Sequence, residues 1–503
     1  MPIFNNIFSF LHSGRLNEIK HFKSNPGEVQ QEQFEKLIAK AKHTQIGKEF
    51  EFSSINSPEI FKERVPVSDY DDIMPKIIRL RQGEKNLLWP GEIKWFAKSS
   101  GTTSTRSKFI PISKEALENC HYQGGRDTLV IYNHLLPNNK LFSGKTLTLG
   151  GSNQINSFSN DSFYGDLSAI LIDNLPFWTS FVRTPGREVA LMEEWEEKLK
   201  LITEIAVKEN VTAFAGVPSW FLVLIKNVLD YTGKKCLTEI WPNLELFIHG
   251  GVSFTPYKTQ YADLIPSSKM NYMETYNASE GFFAMQDDLS DQGMLLMLDY
   301  GVFYEFMPLS ESGKKHPKTY TIEEVEVDED YAMIISTNGG LWRYLIGDTV
   351  RFASKFPHKI VISGRTKHFI NAFGEEVMIE NAENALDKAC EETGAKIKEY
   401  TAAPVYMGSD AKGAHEWLIE FEKEPKSKEH FINTLDSTLR EVNSDYDAKR
   451  YKDLTLILPT LVTARKNLFF DWLKKNNKLG GQHKVPRLSN DRKFIDDIIN
   501  MNR

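Results

Sequence analysis

The stretch Lys98-Ser99-Ser100-Gly101-Thr102-Thr103-Ser104-Thr105-Arg106-Ser107-Lys108 holds seven hydroxyl side chains and one glycine between cations, and it runs straight into the strand-like Phe109-Ile110-Pro111. Ser and Thr supply rotatable donors, Gly101 admits close approach of the backbone, and Lys98, Arg106 and Lys108 supply positive charge. These are the requirements for holding a polyphosphate in a loop. The spacing is not that of a Walker A loop, which needs Gly, four residues and then Gly-Lys-Ser/Thr. The same composition also suits a solvated connection between two strands.

Outward from this loop, residues 93–97 read as the strand that delivers it. The preceding hundred residues are a helical lead-in. Phe34, Leu37, Ile38 and Ala41 give residues 28–45 one apolar face, and a further helix spans Tyr70 to Arg81. The apolar opening, with Phe4, Ile7, Phe8 and Leu11 at helical spacing, predicts a short packed helix and lacks the pattern of a secretory signal.

Beyond the loop the pattern predicts a helix over 114–133, a strand over 145–150 and a long charged helix over 188–209. A strand over 212–215, a helix over 218–229 opening on proline and a strand over 244–248 follow. This alternation argues for a mostly parallel sheet covered by helices. After Met270, residues 294–306, 320–327 and 332–336 read as antiparallel strands with turns at Asp328-Glu329-Asp330 and Asn338-Gly339-Gly340. A second change falls near Thr366-Lys367. There, helices over 379–392 and 428–443 alternate with strands over 417–421 and 454–458. The expected fold is therefore α/β: a large N-terminal domain (1–365) with mostly parallel helix-covered sheets plus antiparallel β elements, and a small α+β C-terminal domain (366–503).

The chain has 503 residues, 41% hydrophobic and 26% charged, as in ordinary globular proteins. Its net charge of -7 argues against general nucleic-acid affinity. Cys120, Cys236 and Cys390 are too scattered for a zinc site or a disulfide framework, which suits a reducing, cytoplasmic setting. No apolar run is long enough for a membrane span.

Four further stretches sit at strand ends or in loops. His249-Gly250-Gly251 would let a flat ring lie on bare backbone, or would simply turn the chain. In Glu274-Thr275-Tyr276-Asn277-Ala278-Ser279-Glu280-Gly281, Tyr276 could stack on a base and Ser279 reach a phosphate. Glu280 beside phosphates calls for a divalent cation between them, unless it is a solvated strand end. Asp348, in Trp342-Arg343-Tyr344-Leu345-Ile346-Gly347-Asp348, needs a partner if buried: ribose hydroxyls, or an arginine such as Arg343 or Arg351. Gly480-Gly481-Gln482-His483-Lys484-Val485-Pro486-Arg487 reads as a mobile loop delivering a cation, or as a surface tail.

Taken in order, these motifs resemble the adenylate-forming superfamily of acyl-CoA synthetases, peptide-synthetase adenylation domains and luciferases. The loop with Lys108-Phe109-Ile110-Pro111, the Tyr276–Glu280 stretch, the closing Lys484-Val485-Pro486-Arg487 and the lead-in Val65-Pro66-Val67-Ser68-Asp69-Tyr70 with Gly83-Glu84 are similar to the auxin-responsive Gretchen Hagen family of acyl-acid amido synthetases, in its bacterial branch. One departure is Thr105, where that family's loop commonly has glycine.

The resemblance implies ATP and Mg2+ as cofactors. Ser99, Ser100, Gly101, Thr102, Thr103 and Lys108 would form the phosphate loop, while Tyr276 and Gly250-Gly251 would enclose adenine. Ser279 would lie by the α-phosphate, Glu280 would carry the metal, and Asp348 with Arg365 would bind ribose. Lys484 would bridge the acid and the α-phosphate, delivered by a C-terminal lid hinged at Lys367. Phe163, Tyr164, Phe214, Val217 and Trp220 are candidates for the acid pocket, although such aromatics equally serve as core. The implied reaction joins a small carboxylic acid, through its adenylate, to an amino acid or amine. Coenzyme A as acceptor and a non-catalytic nucleotide-binding relative are the alternatives. The expected protein is a cytoplasmic monomer or weak homodimer without nucleic-acid or membrane partners.

Overall fold

The computed structural model describes residues 12–99, 108–150, 155–158, 162–192, 194–314, 316–365, 369–407, 412–476 and 485–502. The apolar opening, most of the hydroxyl loop, Thr105 and Lys484 lie outside the described residues.

Eleven strands make the main sheet, and its two halves follow different rules. Arg183–Thr184, Lys145–Thr148, Val211–Gly216, Leu246–His249 and Asn271–Ala278 run parallel to one another. From Asn271–Ala278 the order continues antiparallel through Gly281–Gln286, Met294–Leu296, His358–Arg365, Tyr344–Lys355, Asp330–Thr337 and Val302–Pro308. Asn271–Ala278 is thus the junction strand, parallel to one neighbour and antiparallel to the other. The parallel half needs helical crossovers, and the helices Trp195–Ala206 and Pro218–Thr232 supply them.

A second sheet has four strands, in the order Lys108–Ile112, Trp95–Ser99, Phe163–Gly165, Asn156–Ser157. Ser99 faces Lys108 across the first pair, and Lys98 faces Phe109, so the root of the hydroxyl loop is an antiparallel ladder. The C-terminal unit packs the helices Ile379–Thr393 and Lys428–Val442 near a sheet of Lys396–Val405, Ala414–Lys423 and Thr460–Thr463. This is the α/β architecture expected, with a large and a small part.

The lead-in helices are tied on by specific bonds. Pro26–Ala41 begins with proline in its first turn and buries Val29, Phe34, Leu37 and Ile38. Its buried Gln30 donates to the carbonyls of Leu298 and Val302 and accepts from the amide of Tyr304. Tyr70–Arg81 starts on a capping box, in which Asp69 accepts the amides of Asp71 and Asp72 and Asp72 reciprocates.

Arg343 joins the lead-in to the sheet. It is buried, forks onto Glu305 with two contacts of 2.9 Å, and donates to the carbonyls of Lys62 and Val65. A planar guanidinium suits this bidentate geometry.

One apolar core spans the parallel half of the sheet and the C-terminal unit, bringing together Leu147, Phe214, Phe247 and Tyr261 with Phe373, Trp417 and Leu435. Across this seam Tyr257 donates to the carbonyl of Ala372 at 2.5 Å and Ser219 to that of Phe373 at 3.3 Å. Lys449 lies buried with its ammonium 4.0 Å above the Trp220 ring. Among the described residues no helix is long and apolar enough to cross a membrane.

Four expectations are corrected. The strand expected over 294–306 is two, Met294–Leu296 and Val302–Pro308, with three strands between them in the sheet. Residues 320–327 are not a strand: Glu324 accepts both the amide and the hydroxyl of Thr321, closing a turn, and only isolated bridges at Tyr320 and Val327 remain. The long helix over 188–209 is two, Arg187–Ala190 and Trp195–Ala206. The strand expected over 454–458 lies at Thr460–Thr463, while Leu456 makes only a bridge to Gly413.

Replacing Arg343 by methionine would strand the Glu305 carboxylate in the core. Arg343→Met is expected to lose about 3–5 kcal/mol of stability, and Arg343→Met combined with Glu305→Leu should recover much of it. Thermal or urea unfolding of the three proteins measures this.

Candidate functional site

A cleft of about 990 Å³ opens where the two sheets and the C-terminal unit meet. Ser99 and Lys108 reach it from the small sheet, and Gly251 from the end of a parallel strand. Tyr276, Ser279 and Glu280 come from the junction strand and its turn, and Asp348 from the antiparallel half. The sequence separates these groups by up to 249 positions (348 − 99), and the fold brings them together.

The link between Tyr276 and Asp348 shows how. Their strands are separated in the sheet by His358–Arg365, Met294–Leu296 and Gly281–Gln286. Four inter-strand steps in a flat sheet would put them about 19 Å apart. The Tyr276 hydroxyl nevertheless donates to Asp348 Oδ2 at 2.5 Å, so the sheet curls over the cleft. Glycine at 347, with φ of +96°, permits the bend just before the carboxylate. Asp348 therefore does not depend on the arginines suggested from sequence: Arg343 serves Glu305, and Arg351 pairs with Asp330.

Tyr276 is 5% exposed and its ring meets Phe283 edge-on at 5.0 Å. Of this strand Tyr272, Glu274, Tyr276 and Ala278 line the cleft, and so do Asn271, Thr275 and Asn277. Burial raises the Glu274 carboxyl above its usual range. His249 lies on the ring of Phe254 with centroids 4.3 Å apart, and burial lowers its pKa to about 3, so the imidazole is neutral.

The two glycines after His249 differ. A Cβ on Gly250 would stand 2.4 Å from the carbonyl oxygen of Thr275, so this glycine lets two strands approach, and Gly250 does not line the cleft. Gly251 does line it and has φ of +81°.

The acid-pocket candidates lie elsewhere. Phe214 is fully buried against Phe221, Trp241 and Phe247, so it is core. Phe163 packs on Trp95 and Tyr164 on Phe158. Val217 caps the helix Pro218–Thr232 near Gly251, and Trp220 faces Lys449. None of the five lines the cleft, whose apolar lining comes instead from Leu167, Leu171, Val252, Phe254 and Ile346.

Sequence reading missed Lys258, Asn371, Glu376 and Asn490, which also line the cleft. Glu376 carried a readable signal, a polar residue two after a glycine, but its left-handed φ of +39° could not be foreseen. Ser100, Gly101, Thr102, Thr103 and Lys484 lie outside the described residues, as does the side chain of Arg365, whose backbone pairs with Asp348. Among the described residues no group of three or more His, Cys, Asp or Glu is arranged to hold a metal ion.

Comparison with known proteins agrees along the whole chain. Models of the GH3 family N-terminal, central and C-terminal domains match residues 15–270, 295–365 and 380–493. Indole-3-acetic acid-amido synthetase GH3.3 of Arabidopsis thaliana is 22% identical, covering 94% of this chain and 91% of its own. Jasmonoyl-L-amino acid synthetase GH3.5 of Oryza sativa subsp. japonica is 24% identical, covering 94% of each. The solved GH3.15 acyl acid amido synthetase superposes with a TM-score of 0.62 at 16% identity, over 97% of this chain and 95% of its own. A 2-hydroxyisobutyryl-CoA ligase shares the fold with a TM-score of 0.58 at 12% identity, over 95% and 92%. By the matches to its three domains, the chain belongs to the GH3 family.

Proposed function

We propose that the protein is an ATP-dependent acyl-acid amido synthetase, which adenylates a carboxylic acid and passes the acyl group to an amino acid or amine. The observation that carries this reading is the gathering of Ser99, Lys108, Tyr276, Ser279, Glu280 and Asp348 around one cleft. Similar proteins are named indole-3-acetic acid-amido synthetase and jasmonoyl-L-amino acid synthetase.

A carboxylate is a poor electrophile. Its oxygen attacks the α-phosphorus of ATP, the bond to pyrophosphate breaks, and an acyl-adenylate forms. The amine then attacks the acyl carbon, the C–N bond forms, AMP leaves, and the amine gives up a proton. Negative charge grows on phosphoryl oxygens in the first step, so positioned cations and donors do most of the work.

The residues of the cleft fit such a nucleotide. Lys108 brings a cation, Ser99 and Ser279 hydroxyls, and Glu280 a carboxylate to the lining of the cleft. Asp348, buried and hydrogen-bonded to Tyr276, is the residue we assign to the ribose hydroxyls. Glu280 would hold Mg2+ together with substrate phosphates, where the ion offsets their charge; magnesium commonly keeps only one or two protein carboxylates. We assign Ser100, Gly101, Thr102 and Thr103 to the phosphates and Lys484 to the bridge between acid and α-phosphate. The C-terminal residues 366–503 act as the mobile lid that carries Lys484. The acid itself sits against Leu167, Leu171 and Ile346, an apolar wall suited to a planar or aliphatic acyl group.

Acid-dependent exchange of labelled pyrophosphate into ATP tests the first half-reaction, and mass spectrometry of products with amino acids or coenzyme A as acceptor tests the second. An amide is expected; a thioester would move the protein to the ligase alternative, and no exchange with any acid would exclude adenylation. Lys484→Ala is expected to slow exchange by about 10²–10³-fold, with a much smaller effect on ATP binding measured by calorimetry. Glu280→Gln is expected to raise the Mg2+ concentration needed for half-maximal exchange, read from a magnesium titration.

A further inference from the structure

The lead-in helix Tyr70–Arg81 carries no chemistry that the sequence reveals, yet both of its ends meet Phe109, at the root of the hydroxyl loop. From its first position the Tyr70 hydroxyl accepts the amide of Phe109 at 2.8 Å, and the Tyr70 ring lies 5.7 Å below the ammonium of Lys108. From its last position Arg81 places its guanidinium carbon 4.1 Å from the centroid of Phe109 and 4.1 Å from that of Phe158. Those two rings are 5.7 Å apart and inclined by 67°, so the guanidinium fills the wedge between them. Tyr164 closes the back of the wedge, stacked on Phe158 at 4.5 Å and edge-on to Phe109 at 5.4 Å.

Among the described residues no carboxylate pairs with this arginine. Its Nε is buried without a hydrogen-bond partner, and none of its contacts among the described residues is an ion pair. Its main-chain carbonyl takes the hydroxyl of buried Ser162 at 3.1 Å, which ties the helix to the neighbouring strand as well. A surface arginine with only an electrostatic task would sit by an acid; this one is held by aromatic faces, a contact that fixes orientation as well as distance.

The faces of the small sheet show what that fixes. Lys108 and Ser99 are register partners and both reach the cleft, whereas Phe109 and its partner Lys98 lie on the opposite face. A ring locked on one side of the strand sets the direction of the ammonium on the other.

We infer that Arg81 is a positioning residue for the phosphate side of the cleft, acting through Phe109 to hold Lys108 and Ser99 toward the nucleotide. The inference rests on the adenylation reading, and it gives the helical lead-in a task in ATP recognition. Arg81 touches no substrate; its effect passes through the strand. A misplacement of a binding group by about 1 Å is enough to cost large factors in rate or affinity.

The test compares Arg81→Lys, which keeps the charge and loses the planar stack, with Phe158→Leu, which removes one wall of the wedge, in the full chain. ATP affinity is measured by calorimetry and the KM for ATP and for acid by pyrophosphate exchange, beside thermal unfolding. Both variants are expected to weaken ATP binding and raise its KM about tenfold, with the KM for acid within about twofold and the unfolding temperature nearly unchanged. ATP affinity equal to that of the parent protein, or an equal loss in every constant together with a lowered unfolding temperature, overturns the inference. A parent protein that binds no ATP overturns the adenylation reading and this inference with it. Parent binding with unaltered variants overturns Arg81 alone.

Discussion

The hydroxyl of Tyr276 and the carboxylate of Asp348 meet at 2.5 Å although three strands lie between theirs in the sheet. That contact spans the antiparallel half of the sheet, which begins at Asn271–Ala278. The parallel half is flanked by crossover helices and stays open, while the antiparallel half has short hairpins and can roll. The cleft occupies the concavity so made. On its parallel side the junction strand lies close against Gly250, where a Cβ would stand 2.4 Å from the carbonyl oxygen of Thr275.

How much of this could be read from the chain depends on the range of the interactions involved. Helices with one apolar face and their own caps, such as Tyr70–Arg81 with Asp69, were legible because everything that forms them lies within one turn. The strand into the hydroxyl loop was legible for a similar reason. Residues 320–327 misled because alternation of apolar and acidic residues imitates a half-buried strand, and the side chain of Glu324 overrides it by closing a turn on Thr321. The break between Ala190 and Trp195 has no glycine or proline to announce it, and the Glu194 carboxylate accepts a bond from Tyr451, 257 residues away.

The site shows the same division. Residues in short motifs were found, since spacing within one loop or strand is visible in one dimension. Their pairing was not. The sequence around Asp348 admits ribose or an arginine as its partner, whereas the structure pairs it with Tyr276, 72 positions away. The acid pocket fared worst: Phe214 is core, and the cleft takes its apolar wall from Leu167, Leu171 and Ile346. Aromatic content says that a side chain is buried and is silent on what it is buried against.

The contact of Lys449 with Trp220 sets a buried cation at the seam between the N-terminal part and the C-terminal unit. This ammonium is surrounded by Asp166, Asp445, Glu375 and Glu376, and burial lowers its pKa against their pull. Of these acids only Asp166 belongs to the N-terminal part, where the buried Lys198 also faces it. Rotation of the unit would draw Lys449 off the indole and into water, and the return would require that hydration shell to be shed. Any such rotation would thereby be coupled to the solvation of one cation, at a seam held as well by apolar packing and by the hydrogen bonds of Tyr257 and Ser219.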